Sequence, residues 1–320
     1  MNSIPKNYLA KLDIRETQEA QQFINKELIN ILEQKLEFLI IREPKISSKK
    51  ISTFSNESEI KRPVNFDSSF DNIIYFIFNR YRYWFTNTLK LLNIKNNNGI
   101  ASFINFIDRD EEVTNTQSVE KNTLQFEFRY DNKNNAFKKA EEYSEILLSA
   151  IKTIESKIVN KYSGLKKVFP KKNTIKDVSR IGAIAGAHSV IDELASDHGF
   201  FILNNKRKSK SQQSLRNNFE IKYLGYSRHI NKAYEIFHIH DRKTIEDLEP
   251  LSSESKAAME EYTFAKEQLN NVDVRSISIT IDLDTLALAL LEKSHILELQ
   301  SGKNIYDIEK ILDSAEIKHL

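Results

Sequence analysis

Two histidines form the pattern in this sequence that most resembles a metal site. In "HIHD" (238–241), His238 and His240 stand two residues apart, so a strand would place both imidazoles on one face. His229 is the nearest further histidine, and no third ligand is evident from the sequence. Strand histidines that face solvent or a partner show the same pattern, and we therefore expect no metal here.

A cluster of carboxylates follows a predicted strand. The run "DRDEE" (108–112) groups Asp108, Asp110, Glu111 and Glu112 around Arg109. Such a group could carry acid–base or magnesium chemistry. A solvated turn has the same composition, and we favour that interpretation.

Two basic segments are candidates for binding phosphates. The run "KRKSKSQQSLR" (206–216) has five basic residues in 11 and no acid, but it lacks the aromatic residues that stack on bases. We expect a mobile, solvated loop at 206–218 and do not favour a nucleic-acid-binding module. In "NRYRYWF" (79–85), Arg80 and Arg82 alternate with aromatic residues. That pattern is typical of nucleotide sites and also of amphipathic surfaces that pack on a neighbour.

Composition restricts the protein class. The 320 residues are 40% apolar and 29% charged, which is ordinary for a globular protein with an ample core. The net charge of +2, from 47 basic and 45 acidic residues, provides no global field for nucleic acid or membrane. The absence of cysteine excludes disulfides and thiolate zinc sites. With no membrane-length apolar run and no signal-peptide core, we expect a cytoplasmic protein without a membrane span.

Periodicity predicts a mixture of helices and strands. An apolar stripe that includes Ile24, Leu28 and Leu32 predicts a helix at 16–40, and further helices are predicted at 136–162 and 189–199. Strands are predicted at 40–46, 62–67, 99–107, 122–132, 200–204, 219–226 and 234–241, while the period does not decide between helix and strand for the aromatic segment 72–85. This order predicts an α+β fold with a mainly antiparallel sheet flanked by helices, in one domain spanning 1–320.

The run "RSISITIDLDTLALALLEKSHILELQSG" (275–302) predicts a strand that leads directly into a helix. Ile277, Ile279 and Ile281 alternate with polar residues, and Asp284 is the expected N-cap of the helix. Strand-to-helix junctions often hold a phosphate, usually with glycines that allow the backbone to approach it. This junction has neither glycine nor arginine.

Four segments, in this order, resemble the ammonia-dependent asparagine synthetases, or aspartate–ammonia ligases. They are "IPKNYLAKLDIRETQEAQQFI", "KRPVNFD", "RDEE" and "EKSHILELQ", and the resemblance covers nearly the whole chain. It implies the catalytic fold of class II aminoacyl-tRNA synthetases and a homodimer. It also implies an activity in which ATP converts aspartate to an adenylate that ammonia attacks, with ATP and magnesium as cofactors.

The resemblance also shows which site positions have changed. The family's G-G-G-I-G-Q-S-R string falls on "SITIDLDT" (278–285), which keeps only Ile281 and has Thr285 in the arginine position. The family's R-x-D-E becomes "DRDE", with Asp108 in the arginine position and Asp110 and Glu111 retained. We expect Arg109 to point to the opposite strand face, where it would not replace the lost arginine.

The positions that bind aspartate in the family have changed as well. The string "YFIFNRYR" keeps only Arg82 of the family's H-S-L-A-K-W-K-R. Ser55 stands in place of a carboxylate residue. Tyr75, Phe76 and Tyr81 stand in place of histidine, serine and lysine, respectively, and Phe128 and Tyr130 stand in place of two residues that make polar contacts with the substrate.

These losses predict a protein without the family's chemistry. One charge-assisted phosphate contact contributes about 1.5–3 kcal/mol, and one transition-state stabiliser about 10²–10³ in rate. The sequence therefore predicts a pseudoenzyme with no catalytic residues, cofactor or metal, acting as a structural, scaffold or regulatory protein through protein contacts. The alternatives are an AMP-forming aspartate–ammonia ligase with a rebuilt site, which would use ATP and magnesium, and an RNA- or DNA-binding module.

We expect the protein to form a dimer even though it has lost the family's catalytic residues. In class II folds the first long helix and the proline-bearing strand after it form the subunit interface, which the resemblance places at 16–40 and at "REPKI" with Pro44. We expect a homodimer or a heterodimer with a related subunit. A further partner surface is expected around Tyr81, Tyr83, Trp84, Phe128 and Tyr130.

Overall fold

The computed structural model describes residues 8–47, 64–69, 73–77, 81–130, 135–177, 187–206, 219–227, 232–242 and 274–300. Its helices are α1 (Ile14–Glu33), α2 (Arg82–Leu91), α3 (Ala136–Lys161), α4 (Ala187–His198) and α5 (Leu283–Leu290), and a 3₁₀ turn lies at Ile296–Glu298. Its strands are β1 (Phe38–Ile40), β2 (Ile46–Ser47), β3 (Asn65–Asp67), β4 (Ile74–Ile77), β5 (Gly99–Ile107), β6 (Glu120–Arg129), β7 (Thr174–Asp177), β8 (Phe201–Lys206), β9 (Phe219–Ser227), β10 (Lys232–Arg242) and β11 (Ser276–Asp282).

The strands form one large sheet and one small sheet. The large sheet has the order β1-β5-β6-β11-β10-β9-β8-β7, and the small one has the order β2-β4-β3. In the large sheet the two outermost pairs, β1 with β5 and β7 with β8, are parallel, and the inner pairs are antiparallel. This confirms the predicted α+β class with a mainly antiparallel sheet.

Helix α1 begins at a capping box and ends before its predicted limit. Asp13 Oδ1 accepts a hydrogen bond from the backbone N–H of Glu16 at 2.8 Å, and the Glu16 carboxylate accepts from the backbone N–H of Asp13 at 3.1 Å. The predicted helix at 16–40 was wrong at its end, because Phe38–Ile40 leave the helix and pair with Gly99–Ala101. The apolar residues at the end of the run fit either element by period, and the partner strand decides between them.

The main core lies between α1, α3 and α5 and one face of the large sheet, here called the helical face. Strands β6 and β11 each contribute every second side chain to it, including Phe126, Phe128, Ile277 and Ile279. Ile24 and Leu28 of α1 are fully buried against this layer. Each such side chain contributes about 1.5–3 kcal/mol of burial free energy, so this layer holds the strands in one register.

The opposite face of the large sheet is apolar at two places and polar between them. Helix α2 packs on Ile100 and Ile104, and α4 packs near Phe201 and Leu203. The side chains of the intervening strands that alternate with the core residues, and that are paired with one another across the strands, project to this side. They are Gln125, Glu127, Ser276, Ser278, Thr280, His238, His240 and Lys222. We call this surface the polar face.

Pro44 does not lie in a strand, contrary to the prediction for 40–46. Strand β1 ends at Ile40 and strand β2 begins at Ile46, and Pro44 is half-buried in the connection between them. Proline has no N–H to donate to a ladder, which explains the interruption. The segment 72–85, for which the sequence left helix and strand open, contains both β4 and the start of α2.

No helix within the described ranges is both long enough and apolar enough to cross a membrane.

Candidate functional site

The junction between β11 and α5 lies at the end of the polar face. Ser278, Thr280 and Asp282 project to this face, while Ile279 and Ile281 are fully buried on the helical face. Asp282, not Asp284 as predicted, is the N-cap of α5, and its Oδ1 accepts a hydrogen bond from the backbone N–H of Thr285 at 2.9 Å. Ser278, Thr280 and Asp282 therefore place side chains on the polar face at positions where the resemblance has glycines.

Thr285 is a packing residue of this junction. Its hydroxyl donates to the carbonyl oxygen of Glu235 at 2.7 Å, and the residue is only 4% exposed. This hydrogen bond connects the first turn of α5 to β10. The position that the resemblance gives to a phosphate-binding arginine therefore holds a short, buried hydroxyl.

Three carboxyl groups make the junction acidic. Burial, followed by the nearby Asp284, raises the pKa of Asp282 to about 7. Burial also raises the pKa of Asp284 to about 6, although hydrogen bonds from Asn122 and Gln300 oppose this shift. Burial acts to raise the pKa of Glu235, but Lys222 and His238 outweigh it and lower that pKa. This arrangement disfavours a polyphosphate, because acidic groups lie around the position where the resemblance places an arginine.

The carboxylate cluster that follows β5 forms a turn. Strand β5 ends at Ile107, and the backbone N–H of Glu111 donates to the carbonyl oxygen of Asp108 at 3.1 Å. The expected opposite strand face for Arg109 was therefore wrong, because this residue lies in the turn, where it is exposed. Asp108 is 7% exposed, and Glu111 is ion-paired with Lys121 at 3.5 Å.

Glu127 is a buried acid on the polar face that the sequence analysis missed. It is fully buried and accepts a hydrogen bond from the hydroxyl of Ser276. Its neighbour Phe128, which the resemblance placed in the pocket, lies on the helical face, where its ring packs 4.7 Å from that of Tyr143. The alternation of polar and aromatic residues in "QFEFR" is the sequence signal for this arrangement, because one of the two alternating sets of side chains had to face the helices.

The expected exposed partner surface was wrong for three of its residues. Tyr81 is 2% exposed, Phe128 is 1% and Tyr130 is 9%. Tyr81 packs edge-on against Trp84 with ring centroids 5.9 Å apart. Burial, followed by the charge of Glu43, raises the pKa of Tyr81, so its phenol stays neutral. These aromatic residues stabilise the core and are not available to a partner.

The remaining predicted positions are spread over several elements. Tyr75 and Phe76 belong to β4 in the small sheet, where Tyr75 stacks on Phe66 at 5.8 Å between centroids. Arg82 begins α2, but its side chain lies outside the described part of the chain, as does that of Tyr83. Ser55, His229 and residues 207–218 of the basic loop also lie outside the described residues.

The two strand histidines lie side by side on the polar face. Their ring centroids are 4.7 Å apart, and Nδ1 of His238 lies 3.9 Å from Oε1 of Glu235. Among the described residues, no group of three or more His, Cys, Asp or Glu side chains is arranged to hold a metal ion.

Known proteins resemble this chain in sequence and in fold. The family model described as aspartate–ammonia ligase matches residues 15–181. The aspartate–ammonia ligase of Clostridium perfringens (strain SM101 / Type A) is 26% identical over 168 residues, which are 52% of this chain and 50% of that protein. The chain thus matches only about half the length of this curated relative.

Two solved structures share the fold. The asparaginyl-tRNA synthetase of Entamoeba histolytica superposes with a TM-score of 0.60 at 10% identity, covering 88% of this chain and 66% of that one. The asparaginyl-tRNA synthetase of Pyrococcus horikoshii complexed with asparaginyl-adenylate gives 0.61 at 9% identity, covering 88% and 67%. At these identities the likeness shows the fold alone, which is that of class II aminoacyl-tRNA synthetase catalytic domains.

Proposed function

The chain belongs to the aspartate–ammonia ligase family, and we propose that it is a non-catalytic member that acts as a dimer through protein contacts. The observation that carries the proposal is the β11–α5 junction. Asp282 caps the helix there, and Thr285 is hydrogen-bonded to β10. We further propose that the chain forms one domain over residues 1–320 and works without a cofactor.

The triphosphate of ATP, which the resemblance implies, does not fit the described residues of the junction, whereas the carboxyl groups there are of the kind that binds magnesium. A triphosphate needs cations and close backbone approach, whereas Asp282 and Glu235 bring carboxyl groups to this end. At the β5–β6 turn, the retained Glu111 is engaged by Lys121. One lost charge-assisted contact reduces binding by about 1.5–3 kcal/mol, and these contacts are lost together.

A second candidate function is an ATP-dependent, AMP-forming aspartate–ammonia ligase with a rebuilt site. Membership of the family and the likeness to a named aspartate–ammonia ligase favour this candidate. Asp110 and Glu111 are retained at the turn, and the polar face keeps acidic and basic groups such as Glu127 and Lys222. The side chains of Arg82 and of the loop 207–218 could then supply cations.

The proposed dimer interface lies at one edge of the large sheet. Strand β1 is the outermost strand, and its Leu39 and Ile40 are 51% and 42% exposed. Pro44 and exposed Ile46 continue this apolar edge. An exposed edge with apolar side chains is a surface that proteins usually cover. The proposed partner is a second copy or a related subunit.

Calorimetric titration of the whole chain with ATP and magnesium, with and without aspartate, tests the proposal. We expect no heat of binding at millimolar nucleotide and no asparagine or AMP after adding ammonia. Binding in the micromolar range together with asparagine formation would establish the second candidate and overturn the first. The protein named aspartate–ammonia ligase from C. perfringens serves as the positive control for both assays.

A further inference from the structure

A polar cavity lies on the helical face, between α1, β5, β6 and α5. It has a volume of about 330 Å³. Asn105 and Asn122, which are paired across β5 and β6, line it on the same side of the sheet as Leu124 of the core. Ser278 and Thr280 of the β11–α5 junction project to the opposite side. The cavity therefore lies on the side of the sheet opposite to the polar face.

Carboxamides dominate the lining of this cavity. Four come from successive turns of α1 and two from the strands: Gln18, Gln21, Gln22, Asn25, Asn105 and Asn122. Every carboxamide offers both donors and an acceptor. None of the described residues that line the cavity is a lysine or an arginine, and its one acidic lining residue, Asp284, already accepts hydrogen bonds from Asn122 and Gln300. The cavity therefore favours a polar ligand that carries no negative charge.

Several of these amides are held in place before any ligand binds. Asn105 Nδ2 donates to Asn122 Oδ1 at 2.6 Å, and Asn122 Nδ2 donates to the two carboxyl oxygens of Asp284 at 3.0 and 3.2 Å. Gln18 Nε2 donates to Gln21 Oε1 at 2.9 Å on α1. Fixed amide planes reduce the entropy lost on binding, which is the advantage of a preorganised site.

The same cavity has apolar walls suited to a flat ring. Leu283, Ala287 and Leu299 line it together with the aromatic ring of Phe103, which is 38% exposed. Asn and Gln side chains pair bidentately with the donor–acceptor edges of bases, and apolar or aromatic groups cover the ring faces. Small-molecule sites span about 300–1,000 Å³, so this cavity is large enough for one ring system.

We propose that this cavity binds a neutral planar heterocycle of the nucleobase class. The carboxamides of Gln21, Gln22 and Asn25 on α1 would recognise its edges, while Asn105 and Asn122, whose Nδ2 groups already donate to Glu120, Asn122 and Asp284, would form the floor of the site. A nucleotide is disfavoured because no described lining residue is a cation that could meet the phosphate. A free amino acid is disfavoured for the same reason, since its carboxylate would lack a partner. The cavity shares Leu283 and Asp284 with the β11–α5 junction, but it lies on the other side of the sheet from Ser278 and Thr280 and does not depend on the proposed loss of ATP chemistry.

Ligand-observed saturation-transfer NMR and calorimetry on the whole chain test the proposal, with adenine, cytosine and uracil as probes and AMP as the charged comparator. We expect at least one base to bind in the micromolar to low millimolar range, and AMP to bind at least about tenfold more weakly than adenine. No binding of any base at millimolar concentration would overturn the proposal, as would AMP binding equal to or tighter than adenine.

Paired variants on α1 locate the site. Asn25→Leu removes a lining amide, while Asn30→Leu makes the same change at an exposed position of the same helix outside the cavity. Leucine is a strong helix former, so both variants keep α1 helical. We expect Asn25→Leu to weaken base binding by about tenfold or more, the effect of about 1.4 kcal/mol, and Asn30→Leu to leave it unchanged. Equal affinities in both variants would place the ligand elsewhere and overturn the proposal.

Discussion

The ammonium group of Lys293 lies 3.6 Å from the carboxylate of Glu298, and their side chains are 2% and 0% exposed. Glu298 also accepts hydrogen bonds from the backbone N–H groups of Ser294 and His295 and from the hydroxyl of Tyr8 at 2.8 Å. Lys293 Nζ donates to the carbonyl oxygen of Leu12 at 3.1 Å. This buried network joins the segment that follows α5 to the segment that precedes α1.

Removing the ammonium group should destabilise the fold strongly. Lys293→Met leaves Glu298 as a buried charge without its cation, and breaking such a pair costs about 3–5 kcal/mol. The measurement is the free energy of unfolding in urea. Lys11→Met is the matched control, because its partner Glu292 is 22% exposed at the surface, and loss of such a pair costs at most about 1 kcal/mol. Equal losses in both variants would contradict a special role for the buried pair.

Gly99 is required by the close approach of β5 to Phe128. A Cβ at this position would lie 2.6 Å from a ring carbon of Phe128 and 2.8 Å from the backbone oxygen of Glu127. Gly99→Ala should therefore lower the free energy of unfolding by about 1–3 kcal/mol, as measured by chemical denaturation. At Gly164 the nearest atom would be 3.8 Å away, so Gly164→Ala should change stability by less than about 1 kcal/mol. The reverse order of the two effects would be inconsistent with this packing.

The stability of the β11–α5 junction should fall as pH rises. The folded-state pKa of Asp282 is about 7, above the unfolded value of about 3.9, so between these values the folded state binds more protons. Its contribution is therefore fully present below the unfolded pKa and is lost as pH rises through about 7. Between pH 5 and pH 8 we expect the wild type to lose about 1–3 kcal/mol more than Asp282→Asn.

The variant isolates Asp282 from the other titrating groups. Asparagine caps a helix as well as aspartate does, so the bond from the N–H of Thr285 is preserved. Asp284, Glu120, Lys121 and Glu235 remain in both proteins, and His295, whose pKa burial lowers to about 4, contributes equally to each. Parallel pH profiles for the two proteins would show that Asp282 does not titrate in this range.

The proposed dimer should depend on the β1 edge. Leu39→Asp places a charge on an exposed apolar residue of β1, and desolvating that charge in an interface is costly. Light scattering should then give a monomer mass, against a dimer mass for the wild type. Ile175→Asp makes the same change on β7, the strand at the opposite edge, where the side chain is 63% exposed. A monomeric wild type, or dissociation by Ile175→Asp but not Leu39→Asp, would refute this interface.

Sequence by itself determined the elements with strong periodicity and the family. The stripe of Ile24, Leu28 and Leu32 and the alternation of Ile277, Ile279 and Ile281 identify a helix and a strand, because each is a local property of one segment. The order of short segments identified the ligase family. The helix predicted at 189–199 corresponds to α4, which ends at His198, and Gly199 follows with a φ of 71°, the left-handed conformation that favours glycine.

Only the tertiary structure decided which face each side chain serves. Alternation separates Glu127 from Phe128, but the packing of α1 and α3 determines that Phe128 faces the helices and Glu127 the polar side. The end of α1 depends on pairing between β1 and β5, and the cap of α5 depends on where β11 stops. These choices rest on contacts between segments far apart in the chain, whose free energies no local pattern contains.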